Sequence, residues 1–250
     1  MHSPASAGCP ATEDIPHDFH HALFMNGIPL DSAFKSRLKS SRAFRFHFLA
    51  KRAVDILLGS LLLVLMAPLL FAAGLLVVLT SRGSMFYIAK RCGAGGKPFA
   101  CFKLRTMHVD QEIILRTHGL TAVGRHGTLL VFDDDPRITD IGKWLRKLSI
   151  DELPQLWNVV RGDMSLIGPR ALAVSMLEDF PRIRSARSVM RPGITGLWQI
   201  RRRTKNATVA SMVPDDMEYI QRFNLFLDLK IAILTIPKII EPKTTTVAST

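Results

Sequence analysis

Cysteine is scarce in this chain of 250 residues. Cys9, Cys92 and Cys101 form neither an even set nor a close pair with zinc-ligand spacing. They read as free thiols in a reducing compartment, not as a disulfide framework. No apolar core lies near the N-terminus, so no secretory signal is expected. The glycine-rich stretch Gly93 to Gly96 lacks Walker spacing, and a simple turn is expected there in preference to a phosphate cradle. His17, His20 and His21 cluster, but in a Pro/Ala/Ser-flavoured stretch that suits a disordered tail better than a metal site. There is no internal repeat. Acids are also few, 21 against 33 Lys and Arg, for a net charge of +12. That excess predicts an anionic partner: nucleic acid, a lipid headgroup surface or a phosphorylated substrate. The absence of an RNA- or DNA-binding signature, such as paired aromatic strand motifs, argues against nucleic acid.

What the chain does have is an apolar run. From Ile56 to Thr80 no residue is charged. A helix of that length would cover roughly 38 Å, enough to cross a bilayer core. Two features oppose a plain span. Pro68 sits at the midpoint, where a proline removes a hydrogen bond and bends or breaks the helix. Positive charge flanks both ends: Arg37, Lys39, Arg42, Arg45, Lys51 and Arg52 before it, Arg82, Lys90, Arg91 and Lys97 after it. A span carries its Lys/Arg excess on one side. The residues alone leave a kinked span and a re-entrant helix both open, with the span slightly favoured.

Beyond Arg82 the pattern is mixed. Residues 84–89 and 98–104 resemble short strands. Residues 138–148 carry helical apolar spacing. Residues 152–160 read as a helix closed by Gly162. Residues 176–190 read as helical despite Pro181, and 223–240 as an interfacial or buried helix.

The densest polar constellation comprises Arg146, Lys147, Asp151, Glu152, Gln155, Asn158, Arg161, Asp163, Ser165 and Arg170. Ser149 to Glu152 could be a capping box, although Pro154 fits better if the helix starts near Asp151. Alternatively one carboxylate attacks phosphorus while its neighbour holds a divalent cation, with arginines offsetting charge. Gly168-Pro169-Arg170 is a rigid turn that presents an arginine. Arg191-Pro192-Gly193-Ile194-Thr195-Gly196 could meet a nucleotide through exposed N–H groups, but a plain connection between core elements is the favoured reading.

Taken together, these motifs resemble the monotopic phosphoglycosyl transferases, the bacterial sugar transferases, over about Phe48 to Pro237. The resemblance is carried by Lys51-Arg52 with Asp55, by Pro68, by Phe102-Lys103-Leu104-Arg105-Thr106-Met107 and by Asp135-Pro136-Arg137-Ile138-Thr139. It continues through Leu145-Arg146-Lys147-Leu148-Ser149-Ile150-Asp151-Glu152-Leu153-Pro154-Gln155-Leu156, then Gly162 to Arg170 and Arg191 to Gly196. It implies an α/β, helix-rich, irregular cytoplasmic domain on an N-terminal re-entrant membrane helix that breaks at Pro68. The expected layout is a flexible extension (1–45), the membrane helix (46–82), the catalytic domain (83–242) and a tail (243–250).

The resemblance also implies chemistry. A sugar-1-phosphate would pass from a UDP-sugar to undecaprenyl phosphate at the cytoplasmic face of the bacterial inner membrane, by a ping-pong route. Asp151 would be the nucleophile, and Glu152 would bind Mg²⁺. Lys103, Arg105, Arg146, Arg170, Pro192, Gly193 and Thr195 would meet substrate or phosphate. Membrane lipids are implied partners, nucleic acid is not, and a homo-oligomer and downstream glycosyltransferases stay open. The chain departs from the family pattern at Ala67, Ala171, Arg201-Arg202-Arg203 and Tyr219-Ile220, changes that bear on sugar recognition more than on reaction type. The rival reading is a membrane-tethered scaffold whose acids and arginines only form salt bridges.

Overall fold

The computed structural model describes residues 24–25, 28–118, 135–201 and 208–240. His17, His20, His21, Cys9, Arg202, Arg203 and the expected tail lie outside them. A short antiparallel pair, β1 (Phe24–Met25) and β2 (Ile28–Pro29), leads into α1 (Leu30–Ser40). Here the structure departs from the expected loose extension. Leu30, Ala33 and Phe34 recur at helical spacing and are buried, and Phe34 packs edge-on against Phe44 at 5.1 Å. Three apolar positions among lysines and serines form too short a stripe to be recognised in the sequence.

The long helix α2 (Arg42–Thr80) spans 39 residues and is capped by the Ser41 hydroxyl, which accepts from the Phe44 N–H. It is long and apolar enough to cross a membrane. Pro68 lies inside it without ending it, so the expected break is absent. The proline forfeits only the bond to the Val64 carbonyl, a loss that bends a helix more readily than it stops one.

Both ends of α2 are fastened to the same domain. Near its start, the Arg52 guanidinium donates to the carbonyls of Val159 (2.7 Å) and Val160 (2.9 Å). Asp55 accepts from the Ser165 hydroxyl and the Leu166 N–H, both at 3.0 Å. Lys51 is buried against Asp228 at 2.8 Å. Near its end, Ala73 and Val77 pack with Leu104 and Leu145. Between Gly59 and Ala73 no residue of α2 is buried.

A hairpin follows, β3 (Phe86–Cys92) and β4 (Pro98–Leu104), antiparallel with Arg91 opposite Phe99 and Tyr87 opposite Lys103. The glycine turn between them is closed on itself and on its neighbours. The Gly93 N–H donates to Lys97 O, the Gly95 N–H to Ser188 O and the Gly96 N–H to Gly93 O. Those three N–H groups are spent on backbone carbonyls of the fold.

Next come α3 (Gln111–Thr117), α4 (Asp140–Lys147), a 3₁₀ turn at Ile150–Glu152 and α5 (Gln155–Arg161). Gly162 ends α5 at φ +101°, a left-handed cap that glycine adopts without steric cost. Strand β5 (Ser165–Ile167) and a 3₁₀ turn at Ser175–Leu177 precede α6 (Pro181–Arg187). The single helix expected over 176–190 is thus two pieces, because Pro181 takes the first-turn position where its missing N–H costs nothing.

Strand β6 (Gly193–Thr195) pairs in parallel with β5, and α7 (Leu197–Arg201), α8 (Val209–Arg222) and α9 (Leu225–Ile240) complete the described chain. The main core gathers Leu172, Leu177, Ile183, Trp198, Met212, Met217, Ile220 and Phe223. The architecture is helix-rich with three two-stranded sheets among the described residues.

Candidate active site

The Asp-Glu pair sits on the 3₁₀ turn between α4 and α5. Ser149, just before it, holds φ +57°, the one positive φ among the described non-glycine residues. Such a conformation costs energy and persists where the surroundings over-determine it, often at a functional site. The Ser149 side chain caps nothing, so no capping box forms. Glu152 instead reaches across to β4, where its Oε1 accepts from Lys103 Nζ at 2.7 Å. Asp151 is 7% exposed. Burial pulls the neighbouring Arg146 guanidinium below its usual value, and the Asp151 carboxylate is the largest influence opposing that shift. Arg146 is held in place by its Nε, which donates to the Thr106 hydroxyl at 2.8 Å.

Glu152 opens onto a cleft of about 320 Å³. Arg91, Lys103 and Arg170 supply three cations to its walls. Alternation explains two of them: Arg91, Cys101 and Lys103 lie on one face of the β3–β4 hairpin, given its register. Cys101 also lines the cleft, but burial pushes its thiol upward, so at neutral pH it stays protonated and inert. The third cation is held differently. Arg170 follows Gly168, where a Cβ would fall 2.5 Å from Arg191 O and 2.8 Å from Gly193 N. Its guanidinium lies over the Trp198 ring, 5.4 Å from the centroid. Its carbonyl accepts from Arg187 Nη2 at 2.8 Å. Arg187 and Asp216 are 5% and 1% exposed and pair at 2.6 Å. A buried ion pair thus holds the backbone carbonyl of the cleft arginine.

A family model for the bacterial sugar transferases matches residues 46–242. The chain belongs to the bacterial sugar transferase family. It is accordingly an enzyme, a phosphoglycosyl transferase, and not the scaffold of the rival reading. The exopolysaccharide production protein ExoY of Sinorhizobium fredii is 39% identical over 194 residues, covering 76% of this chain and 85% of that protein. A UDP-glucose:undecaprenyl-phosphate glucose-1-phosphate transferase of Caulobacter vibrioides is 42% identical over 200 residues, covering 77% and 70%. The Escherichia coli protein of the same description is 35% identical over 221 residues, covering 86% and 44%.

Within this sugar transferase the expected site residues divide. Glu152, Lys103, Arg170 and Gly193 line the cleft, and Asp151 and Arg146 adjoin it through the turn. Arg105 does not join them. Its guanidinium donates to Ser84 O, Ser81 Oγ, Ser81 O and Gly83 O, tying down the end of α2. It alternates with Lys103 only by sequence parity; the strand ends at Leu104, and the backbone turns it away. Pro192 lines a neighbouring hollow. The Thr195 hydroxyl bonds the Thr235 hydroxyl at 2.9 Å, toward α9. The Arg191–Gly196 segment is largely strand, and its Gly193 N–H is taken by Pro169 O, so that N–H does not await a nucleotide. Asn158, Ser165, Arg161 and Asp163 from the polar constellation make structural contacts: Asn158 clips the β4 backbone at Phe102 N and Ala100 O. Sequence reasoning missed Arg91, Ile194 and Gln199. Extending β3 to Cys92 would have exposed Arg91 by alternation. Ala171, one of the departures from the family pattern, also lines the cleft.

Proposed function

We propose that the chain transfers a sugar-1-phosphate from a UDP-sugar to undecaprenyl phosphate in two displacements. The observation that carries this reading is a buried carboxylate on a strained turn, beside a cleft walled by three cations. The relatives named above as undecaprenyl-phosphate glucose-1-phosphate transferases supply the substrate class. In the first displacement an Asp151 oxygen attacks the β-phosphorus, and the bond from that phosphorus to the bridging oxygen breaks. UMP leaves. In the second, a phosphate oxygen of the lipid attacks the same phosphorus, releasing the Asp151 carboxylate and forming the diphosphate-linked sugar. Arg170, Lys103 and Arg91 would neutralise phosphate oxygens throughout.

The carboxylates suit Mg²⁺. Among the described residues no cluster of three or more His, Cys, Asp or Glu side chains forms. A hard carboxylate oxygen is what Mg²⁺ uses when substrate phosphates and water fill its shell. Glu152 would hold it, leaving Asp151 to attack, and it would supply charge neutralisation to the diphosphate.

The same reading makes α2 re-entrant at the cytoplasmic face of the inner membrane, its apex the unburied stretch around Pro68. Fastening of both helix ends to one domain supports this. So do apolar side chains along α9, among them Phe226 at 76% exposed with Leu229, Ile233 and Ile236, and Trp144 at 62%, which suit an interfacial position.

The test is acceptor-free turnover. Purified protein with Mg²⁺ and the correct UDP-sugar should release about one UMP per active site and then stall. The adduct, one hexose-phosphate, should map to the peptide containing Asp151. Asp151→Asn should abolish both, chelation of Mg²⁺ should suppress the burst, and Glu152→Gln should raise the Mg²⁺ needed. UMP release that strictly requires the lipid would overturn the covalent route.

A further inference from the structure

Gln199 lines the cleft with both polar atoms of its amide buried and, among the described residues, unpartnered. It lies in α7, is 9% exposed and lines the cleft beside Glu152 and Arg170. Among the described residues neither Oε1 nor Nε2 has a hydrogen-bond partner. A buried primary amide left unsatisfied costs stability, so an apolar side chain of the same size would suit folding better. Gly196 makes room for it: a Cβ there would lie 2.9 Å from Gln199 Oε1 and 2.1 Å from Gly168 O.

The chemistry of the cleft narrows what the amide meets. Phosphate oxygens only accept, and Arg91, Lys103 and Arg170 already provide for them. An amide offers one donor group and one acceptor, the complement of a hydroxyl, which both donates and accepts. Three parts of a UDP-sugar carry such groups: the transferred sugar, the ribose and the uracil, the last two both lying beyond the second phosphate. The transferred sugar is joined to the attacked phosphorus through a single oxygen, whereas uracil lies beyond a second phosphate and a ribose. Gln199 shares its cleft with Glu152, next to the nucleophile, so the sugar is the part within reach. Resting on the reaction proposed above, we infer that Gln199 is a sugar-reading residue, its amide pairing with a ring hydroxyl of the transferred sugar.

The test compares the full-length wild type with Gln199→Met, nearly isosteric and apolar, and Gln199→Ala, on UDP-glucose, UDP-galactose and their N-acetylated counterparts, with UMP inhibition measured alongside. Sites built to bond a hydroxyl lose discrimination when the bonding group goes. The ratio of kcat/KM between the best sugar and its C4 epimer should therefore fall at least about tenfold in both variants. The UMP inhibition constant should not move, and the Tm of Gln199→Met should equal or exceed that of the wild type, because no protein hydrogen bond is lost. A uniform loss across sugars with weakened UMP inhibition would overturn the inference and assign the amide to the uridine. Unchanged ratios in an active enzyme would overturn it too, as would a lowered Tm with unchanged ratios. A wild type inert with all four sugar nucleotides would instead bring down the underlying reaction.

Discussion

At the scale of single residues, the cleft is built by groups that never enter it. Arg170 owes its position to Arg187, which donates to its carbonyl, and to Asp216, which pairs with Arg187. Asp216→Asn keeps the shape and removes the charge, leaving the buried Arg187 without its counter-ion. Breaking such a pair costs about 3–5 kcal/mol, so denaturant unfolding should register a loss of that order. KM for the sugar nucleotide should rise more than kcat falls, since a displaced Arg170 weakens phosphate binding before it alters the attacking group. A purely architectural pair would lower the folded fraction and leave KM of the remainder untouched. The sequence announced Arg170 through its rigid turn, but not its holders. Arg187 and Asp216 lie 29 positions apart, on helices whose polar residues look ordinary until tertiary packing buries them.

Elements were legible in proportion to their periodicity. The stripes of α4, α5 and α9 stand out, and their ends fell within a few residues of expectation. Helix α8 did not, because its buried face carries Asp215 and Asp216 amid the apolar positions and so breaks the pattern a reader looks for. Of the parallel β5–β6 pair, β6 was read as part of a turn-rich connection and β5 was given no element, three residues a side being too short to show alternation. Arg105, expected at the substrate, lies instead at the end of α2. Its four donations to Ser81, Gly83 and Ser84 clamp the chain as it leaves the helix. Arg105→Ala should cost about 2 kcal/mol and expose the 81–84 segment to limited proteolysis. Sugar-nucleotide KM should stay at the wild-type value. A rise in KM without loss of stability would return Arg105 to the cleft.

At the scale of the whole molecule, charge at both ends of the apolar run was the visible clue, and the bonds of Arg52, Asp55 and Arg105 give it a structural counterpart. Single cysteines at Ser40 and Ser84, on opposite sides of α2, should both react with an impermeant thiol reagent added from the cytoplasmic side in inverted vesicles. Pro68→Ala should shift a fraction of molecules to labelling at residue 84 from the opposite side, because restoring the bond to Val64 favours a straight rod over a bent one. Opposite-side labelling of the unaltered protein would replace the re-entrant arrangement with a span.

The Lys51–Asp228 pair has a consequence in time. The two residues stand 177 positions apart, and Tyr219, whose hydroxyl burial holds in its protonated form, donates to the same carboxylate at 2.7 Å. At about 5–20 residues per second, roughly 10 to 35 s of synthesis separate the appearance of the lysine from that of its counter-ion. Within that interval the bonds of Arg52 to Val159 and Val160 and of Asp55 to Ser165 and Leu166 come within reach before the last fastening exists. The ribosome therefore delivers the long helix first and the lock nearly last.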